Sequence, residues 1–428
     1  MQFSSSLPLT RMIAEHKRGA TLGLPSICSA NRYAITACML QALADGSPLL
    51  VESTCNQVNQ YGGYTGMDAA AFTAYLAEIA RRVGFPSQRL VLGGDHLGPY
   101  PWAAEGAAPA MDKARRLVQD YVAAGYVKIH LDASMPLGGE SEIDLTTCAQ
   151  RAADLCQAAE EASRQGDPAA RPLYVIGTEV PPPGGVKEIE SALQATRIED
   201  ARQTLEATHQ AFRKRGLGDA WERVIALVVQ PGVEYGDNFV GAYQREKAVQ
   251  LASFIQDYHN LVYEAHSTDY QTPAALRQMV EDHFAILKVG PALTFAFREA
   301  VFALVAIEKE WLGESGMLDT LEAAMQADPT HWKGYYRGDE HQQALRRKYS
   351  LSDRVRYYWA RPEVQAALEA LIDHLEGSPP PLTLISQYLP EQYREIRQGR
   401  LHNDPRALIH AKIQEITAQY AWACGLSS

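Results

Sequence analysis

A (β/α)8 (TIM) barrel with a helical C-terminal extension is the fold this sequence predicts, on three observations. Eight short apolar runs of strand length recur between residues 22 and 290. Longer stretches with helical periodicity separate them. Polar side chains gather at the C-terminal ends of the runs, where a barrel of this kind builds its active site.

The runs, in order, are LGLPSICSA (22–30), LLVESTCN (49–56), RLVLGGDH (89–96), YVKIHLDAS (126–134), LYVIGTEV (173–180), VIALVVQP (224–231), LVYEAHS (261–267) and FAILKVG (284–290). Between them lie patterns such as AAAFTAYLAEIARRVG, MDKARRLVQDYVAAG and REKAVQLASFIQDY, with apolar residues three and four apart. A return to a parallel strand needs a crossover helix, so repeated strand-then-helix units imply a parallel sheet. Eight units close a barrel. An open doubly wound sheet is the competing arrangement, but no GxGxxG turn follows the first strand.

After about residue 310 the alternation stops. MLDTLEAAMQADPTHWKGYY, EHQQALRRKYSLSDRVRYYW and EVQAALEALIDHLEG read as helical, GSPPP (377–381) breaks the pattern, and ALIHAKIQEITAQYAWACG closes the chain as a helix. The expected organisation is a barrel over 1–310 and a helical extension packed on it over 311–428. The N-terminal segment MQFSSSLPLTRMIAEHKRG lacks a secretory apolar core and reads as a short helix.

Composition narrows the function classes. The 428 residues carry a net charge of -11, which argues against nucleic acid or an anionic membrane surface as partner. No apolar run approaches the roughly 18 residues that span a bilayer. The six cysteines show no CxxC pair and read as reduced thiols of a cytoplasmic protein. Cys28 and Cys55 stand at strand ends, where they either pack or line a site.

The strand ends carry Ser29, Asn31, Asn56, Asp95, His96, Asp132, Ser134, Glu179, Gln230, His266 and Lys288. Period-two alternation sorts them by face. Lys128, His130, Asp132 and Ser134 should face the lumen, and Ile129, Leu131 and Ala133 the helices. Glu264, His266, Lys288 and Gly290 also point inward. Imidazoles and carboxylates converging at one barrel mouth make a catalytic divalent-metal site, with about three protein ligands. His96 and His266 are the expected ligands. His130 lies deeper and reads as part of a buried polar network.

Phosphate recognition is less well marked. There is no P-loop. The loops after the seventh and eighth strands offer Ser267, Thr268, Lys288 and backbone N–H groups at a helix start. YSLSDRVRYYW (349–359) adds Ser350, Ser352, Arg354 and Arg356, and either folds over the site or starts an ordinary helix at Ser352 or Asp353.

The strings NQVNQYGGYTGM, GGDHLGP, KIHLDASM, IGTEVPPPGG, VVQPGVE, YEAHSTDYQT, FAILKVGPALTFAFREA, YSLSDRVRYYW and SQYLP resemble a known family along nearly the whole chain. It is the family named for the non-catalytic subunit of class II tagatose-1,6-bisphosphate aldolase. That family also contains metal-dependent 4-epimerases of fructose and tagatose, or of their 6-phosphates. More distantly, the barrel is similar to class II aldolases.

The resemblance implies residue roles. Asp95 matches the aldolases' proton carrier and His96 a metal ligand. Glu179 stands where an aldolase has a ligand histidine, and His266 matches the final ligand. Asp132 is either a fourth ligand or a second acid/base. His266 is followed by Ser267 and Thr268 without the aldolases' glycines, which puts their phosphate loop in doubt. Ser29, Asn56, Gln230, Ser267 and Lys288 are the expected substrate contacts, and Zn, Mn, Ni or Co the expected metal.

Chemistry separates the family's two roles. A purely stabilising subunit needs no metal constellation, so an isomerase is expected here, acting by retro-aldol cleavage and re-formation of the bond between carbons 3 and 4. Transient oxidation is a rival route without a dinucleotide motif to support it. The expected partners are a ketose or ketose phosphate, a second copy of the chain and, if the protein is instead the stabilising subunit, an aldolase catalytic subunit. A sugar-binding barrel without turnover is a third class.

Overall fold

In the computed structural model, which describes residues 6–164, 170–177, 194–313 and 315–427, the eight apolar runs become eight parallel strands. They are β1 (Leu24–Cys28), β2 (Leu49–Thr54), β3 (Leu90–Leu97), β4 (Lys128–Leu131), β5 (Leu173–Ile176), β6 (Val224–Val228), β7 (Val262–Ala265) and β8 (Phe284–Val289). Each pairs with the next, and β8 pairs with β1 to close the barrel. A two-stranded hairpin, Glu234–Tyr235 with Val240–Gly241, sits in the loop after β6 and is not marked by the sequence pattern.

Alternation along the strands divides the interior into two layers. Ile129 and Leu131 of β4, with Ala133 beyond it, join the apolar layer between sheet and helices, as do Leu92 and Leu287. Leu24, Leu50, Val91, Val127, Leu173, Ile225 and Val262 fill the lower lumen. The N-terminal helix Leu7–Lys17 closes that end by burying Leu9, Met12 and Ile13 against them.

The two glycines of GGDHLGP that matter most do so by lacking a side chain. Gly93 lies level with Glu52 on β2 and Lys128 on β4. A Cβ there would meet Glu52 Oε1 at 2.7 Å, so the glycine leaves the lumen open for Glu52 to cross. Gly98 lies so close to β4 that a Cβ would stand 1.6 Å from the Asp132 carbonyl. It lets the chain leaving β3 rest on the end of β4.

The helix Pro291–Leu312 runs past residue 310, so no break falls at that boundary. The remaining helices pack back onto the barrel. Pro405–Ala423 lies against helices Arg32–Ala44, Pro291–Leu312 and Pro273–Glu281. The Gly23 N–H donates to the Cys424 carbonyl at 2.9 Å, and the Tyr420 hydroxyl to the Thr268 carbonyl at 2.8 Å. Helix Glu340–Tyr349 ends at Ser350. Asp353 takes a left-handed conformation, and a 3-10 turn follows at Arg354–Tyr357.

Candidate active site

The polar centre of the lumen is layered. At the bottom Lys128, fully buried, is ion-paired to Glu52 and, at 2.7 Å, to Glu264 Oε2. Burial alone would lower the Lys128 ammonium, but the two carboxylates raise it above the usual lysine range. Burial likewise opposes the charge on Glu264, and Lys128 outweighs it, holding that carboxyl well below the usual range. Glu264 then accepts a hydrogen bond from His266 Nε2 at 3.0 Å.

Above this pair, three imidazoles surround Asp95. His130 Nδ1 lies 2.9 Å from Asp95 Oδ1, His266 Nε2 lies 3.8 Å from the same oxygen, and His96 Nε2 is 3.5 Å from Oδ2. Lys288 Nζ contacts the same Oδ2 from the cavity side. The ring centroids of the three histidines are 4.9, 5.2 and 5.4 Å apart. Burial lowers His130 to about 4 and His266 to about 3, so both rings are neutral at neutral pH. Burial also lowers the Lys288 ammonium.

Asp132 supports this layer from the side. His96 Nδ1 donates to its Oδ2 at 2.8 Å, and Ser134 donates to Oδ1 from both backbone N–H (3.1 Å) and hydroxyl (2.7 Å). Burial would raise the Asp132 carboxyl, but these donors hold it well below the usual carboxylate range. A carboxylate on Nδ1 fixes the ring with its Nε2 toward Asp95, the arrangement that orients histidine metal ligands elsewhere. His96 and Ser267 both sit at positive φ, 47° and 55°. A non-glycine residue there carries local strain, which concentrates at functional sites.

The donor set suits a divalent cation. Asp95, His130, Glu264 and His266 each offer a ligand atom, all within 4.8 Å of one another. His130 Nε2 and His266 Nδ1 are buried without a hydrogen-bond partner. Buried polar atoms are rarely left this way without a functional reason.

A cavity of about 100 Å³ opens above the cluster, and Asn56, His96, His266, Ser267 and Lys288 line it with Asp269, Arg356 and Tyr357. Ser29 lies on an adjoining cavity of about 360 Å³. Gln230 stands apart, its side-chain oxygen accepting the N–H groups of Gly232 and Val233. Glu179 lies outside the described residues. The 349–359 segment does reach the site, through Arg356 and Tyr357, by a 3-10 turn and not an ordinary helix. Cys28 lines both cavities, whereas Cys55 is fully buried.

A family model for the D-tagatose-1,6-bisphosphate aldolase subunit GatZ/KbaZ-like proteins matches residues 9–425. The chain belongs to that family. A crystal structure from Sinorhizobium meliloti 1021, described as a probable tagatose 6-phosphate kinase, is 43% identical, with 94% of this chain and 100% of that one covered and a TM-score of 0.87. The YdjI aldolase from Escherichia coli K12 is 10% identical over 85% of this chain and 95% of that one, at a TM-score of 0.42. Fructose-bisphosphate aldolase from Campylobacter jejuni is 14% identical over 88% and 94%, at 0.46. Membership of a D-tagatose-1,6-bisphosphate aldolase subunit family makes the chain aldolase-related, and its buried cluster is one that could hold a metal.

Three groups at this site escape a reading of strand ends. Glu52 lies inside β2, where Lys128 facing the lumen called for a counter-charge. Asp269 follows the β7 loop and spends its carboxylate on backbone N–H groups. His130, read as part of a buried polar network, has Asp95 as its partner in that network.

Proposed function

We propose that this GatZ/KbaZ-like protein is a metal-dependent isomerase, a ketose 4-epimerase that interconverts D-fructose and D-tagatose or their 6-phosphates. The observation that carries the reading is the convergence of His96, His130 and His266 on Asp95 beneath an open cavity. A purely stabilising subunit has no use for such an assembly.

His130 and His266, with the Asp95 and Glu264 carboxylates beside them, would hold the metal; His96, oriented by Asp132, and Glu179 are the further candidate ligands. A bound divalent ion (Zn, Mn, Ni or Co) supplies Lewis-acid stabilisation of negative charge on the sugar's carbonyl and neighbouring hydroxyl oxygens.

The protein's own groups manage protons. The hydrogen on carbon 4 of a 2-ketose is not alpha to the carbonyl, so direct deprotonation there is difficult. Breaking the bond between carbons 3 and 4 removes the stereocentre instead. The carbon 4 hydroxyl gives its proton to a basic group, carbon 4 becomes an aldehyde, and the bonding pair stays on the carbon 3 fragment as an enediolate. Turning the aldehyde and re-forming the bond inverts carbon 4, and the alkoxide recovers the proton. Asp95 is the first proton carrier. Lys288, in contact with Asp95 and on the cavity wall, is the second proton carrier, because Asp132 is committed to His96 and Ser134.

The test uses the purified protein alone, with fructose or fructose 6-phosphate and each metal in turn, read as tagatose or tagatose 6-phosphate. Product with at least one metal supports the epimerase. No product with any metal, together with raised bisphosphate cleavage when an aldolase catalytic subunit is added, would establish the stabilising subunit instead.

A further inference from the structure

The proposed reaction makes no use of the cavity of about 360 Å³ beside the catalytic one. His96, His266 and Lys288 line the smaller cavity, and none of them reaches the larger. The larger one opens between the end of β1, the helix Arg32–Ala44 and the C-terminal extension, and its walls are mostly apolar. Tyr33, Met67, Tyr75 and Trp359 supply them. The Tyr75 hydroxyl donates to the Ala30 carbonyl at 3.2 Å, and the Tyr33 hydroxyl accepts from Arg406 Nη1 at 3.0 Å. Both hydroxyls are thus engaged within the protein, and the rings serve as apolar wall.

Two arginines give this apolar space a positive charge. Arg32 stands at its exposed rim, with the guanidinium carbon 6.0 Å from the Tyr75 ring centroid. Arg356 Nη1 donates to the carbonyls of Ser352 (2.5 Å) and Asp353 (3.1 Å), and Nη2 to the Tyr357 hydroxyl (2.9 Å). These contacts fix the guanidinium and leave its Nε–H and one Nη2–H without a protein acceptor among the described residues. Neither arginine is ion-paired among the described residues. The carboxylate in the wall, Glu369, is paired with Arg406 at 2.6 Å. Trp359 adds an independent observation: it is 3% exposed, and its Nε1 is buried without a hydrogen-bond partner. A buried indole N–H ordinarily finds an acceptor, and it can only donate. Every unmet group here is a donor, so the cavity suits an anionic acceptor carried on an apolar body.

We infer that the larger cavity is a second ligand site, separate from the catalytic cavity, and that it takes a small aromatic carboxylate. The ring lies among Tyr33, Met67, Tyr75 and Trp359, where aromatic faces and edges favour a flat partner. The carboxylate meets Arg356, whose planar fork matches two carboxylate oxygens, and Arg32 adds charge at the rim. A free sugar has no charge to engage the arginines and little apolar surface for the rings. The site goes beyond the epimerase reading, because its occupant touches none of His96, His266 and Lys288.

Fluorine NMR line broadening of a fluorobenzoate added to the full-length protein tests the site without turnover. The probe should bind saturably, and unlabelled benzoate should displace it. Neutral benzamide, of the same shape, and acetate, which lacks the ring, should each compete roughly tenfold more weakly or worse. Arg356→Met should weaken the probe by roughly tenfold to a hundredfold, as expected for loss of charged hydrogen bonds. Trp359→Phe keeps a ring but removes the Nε1–H, and should weaken it by roughly fivefold. If Arg356→Met does not fold by circular dichroism, Arg356→Lys carries the test, with a smaller loss in the same direction. No binding to the wild type, equal competition by benzamide or acetate, or unchanged affinity in the variants overturns the site. Added fructose should leave the probe's affinity unchanged or shift it only to a plateau. Displacement by fructose without limit would put the probe in the catalytic cavity and overturn a separate site. No arm reads turnover, so failure of the epimerase leaves this site standing, and failure of this site leaves the epimerase.

Discussion

His130 Nδ1 and Asp95 Oδ1 lie 2.9 Å apart on adjacent strands, both fully buried. The contact ties the β4 histidine to the acid of GGDHLGP and makes the two a single unit. The buried polar network expected for this histidine therefore includes Asp95.

Loss of His266 removes a ring that faces both Glu264 and Asp95. His266→Ala should abolish metal-dependent turnover while circular dichroism stays native. Metal content by mass spectrometry should fall to background. Retained metal and activity would take His266 out of the site.

Asp132 holds His96 by Nδ1, so under the proposed function its change should be read in metal affinity. Asp132→Asn keeps the size but weakens the hold on Nδ1, and affinity should fall about 10–100-fold, in line with other ligand-orienting carboxylates. Titration of the metal-free protein with Zn or Mn measures this. An unchanged affinity would leave Asp132 free for a direct proton role.

Lys128, fully buried, neutralises Glu52 and Glu264. Lys128→Met should cost about 3–5 kcal/mol, the usual result of stranding buried charge. Denaturant unfolding monitored by fluorescence gives the number. A loss below about 1 kcal/mol would mean that the carboxylates protonate cheaply when the lysine is gone.

Gly98→Ala tests the close approach of β3 to β4. With the Asp132 carbonyl 1.6 Å from the new Cβ, the backbone must move, at about 1–3 kcal/mol or more. Asp132 and His96 would move apart with it. Activity should therefore fall further than the loss of melting temperature explains, and equal losses would argue that the glycine is needed for packing alone.

The closed end of the barrel carries a pH response of its own. His16 Nε2 lies 2.9 Å from His283 Nδ1, and His16 Nδ1 lies 2.8 Å from the Leu22 carbonyl. Burial lowers both rings, His283 to about 4. In the unfolded chain a histidine titrates near 6.5, so between these values the unfolded state binds the extra proton. Stability present above pH ~6.5 should therefore be lost as pH falls toward 4. His283→Asn keeps an amide at Nδ1 and tolerates the φ of 73° there. It should flatten the acid limb of a melting-temperature profile, and an unchanged limb would place the titration elsewhere.

Much of this site was readable because strand alternation is a local property of the backbone. Val91 and Leu92 fill opposite faces, so Asp95 and His96 had to emerge at the strand end, and Lys128 had to share the lumen with His130. The partners of these residues were less readable. Glu52 reaches Lys128 only because Gly93 separates them at the same level of the barrel, and that level is set by closure of the whole sheet. Gln230 occupies a strand end like the others, yet its loop turns the side chain back onto Gly232 and Val233.

By itself the sequence determined the eight strands, their inward faces, the family and the acid-imidazole pair at the end of β3. Each of these follows from a short-range period or a contiguous motif. Tertiary structure alone decided that His130 joins Asp95, that Asp269 fills the anion position before Pro291, and that Arg356 returns from beyond β8 to the cavity wall. Those choices join residues far apart in the chain, and they depend on barrel closure and on how the C-terminal helices pack back over the rim.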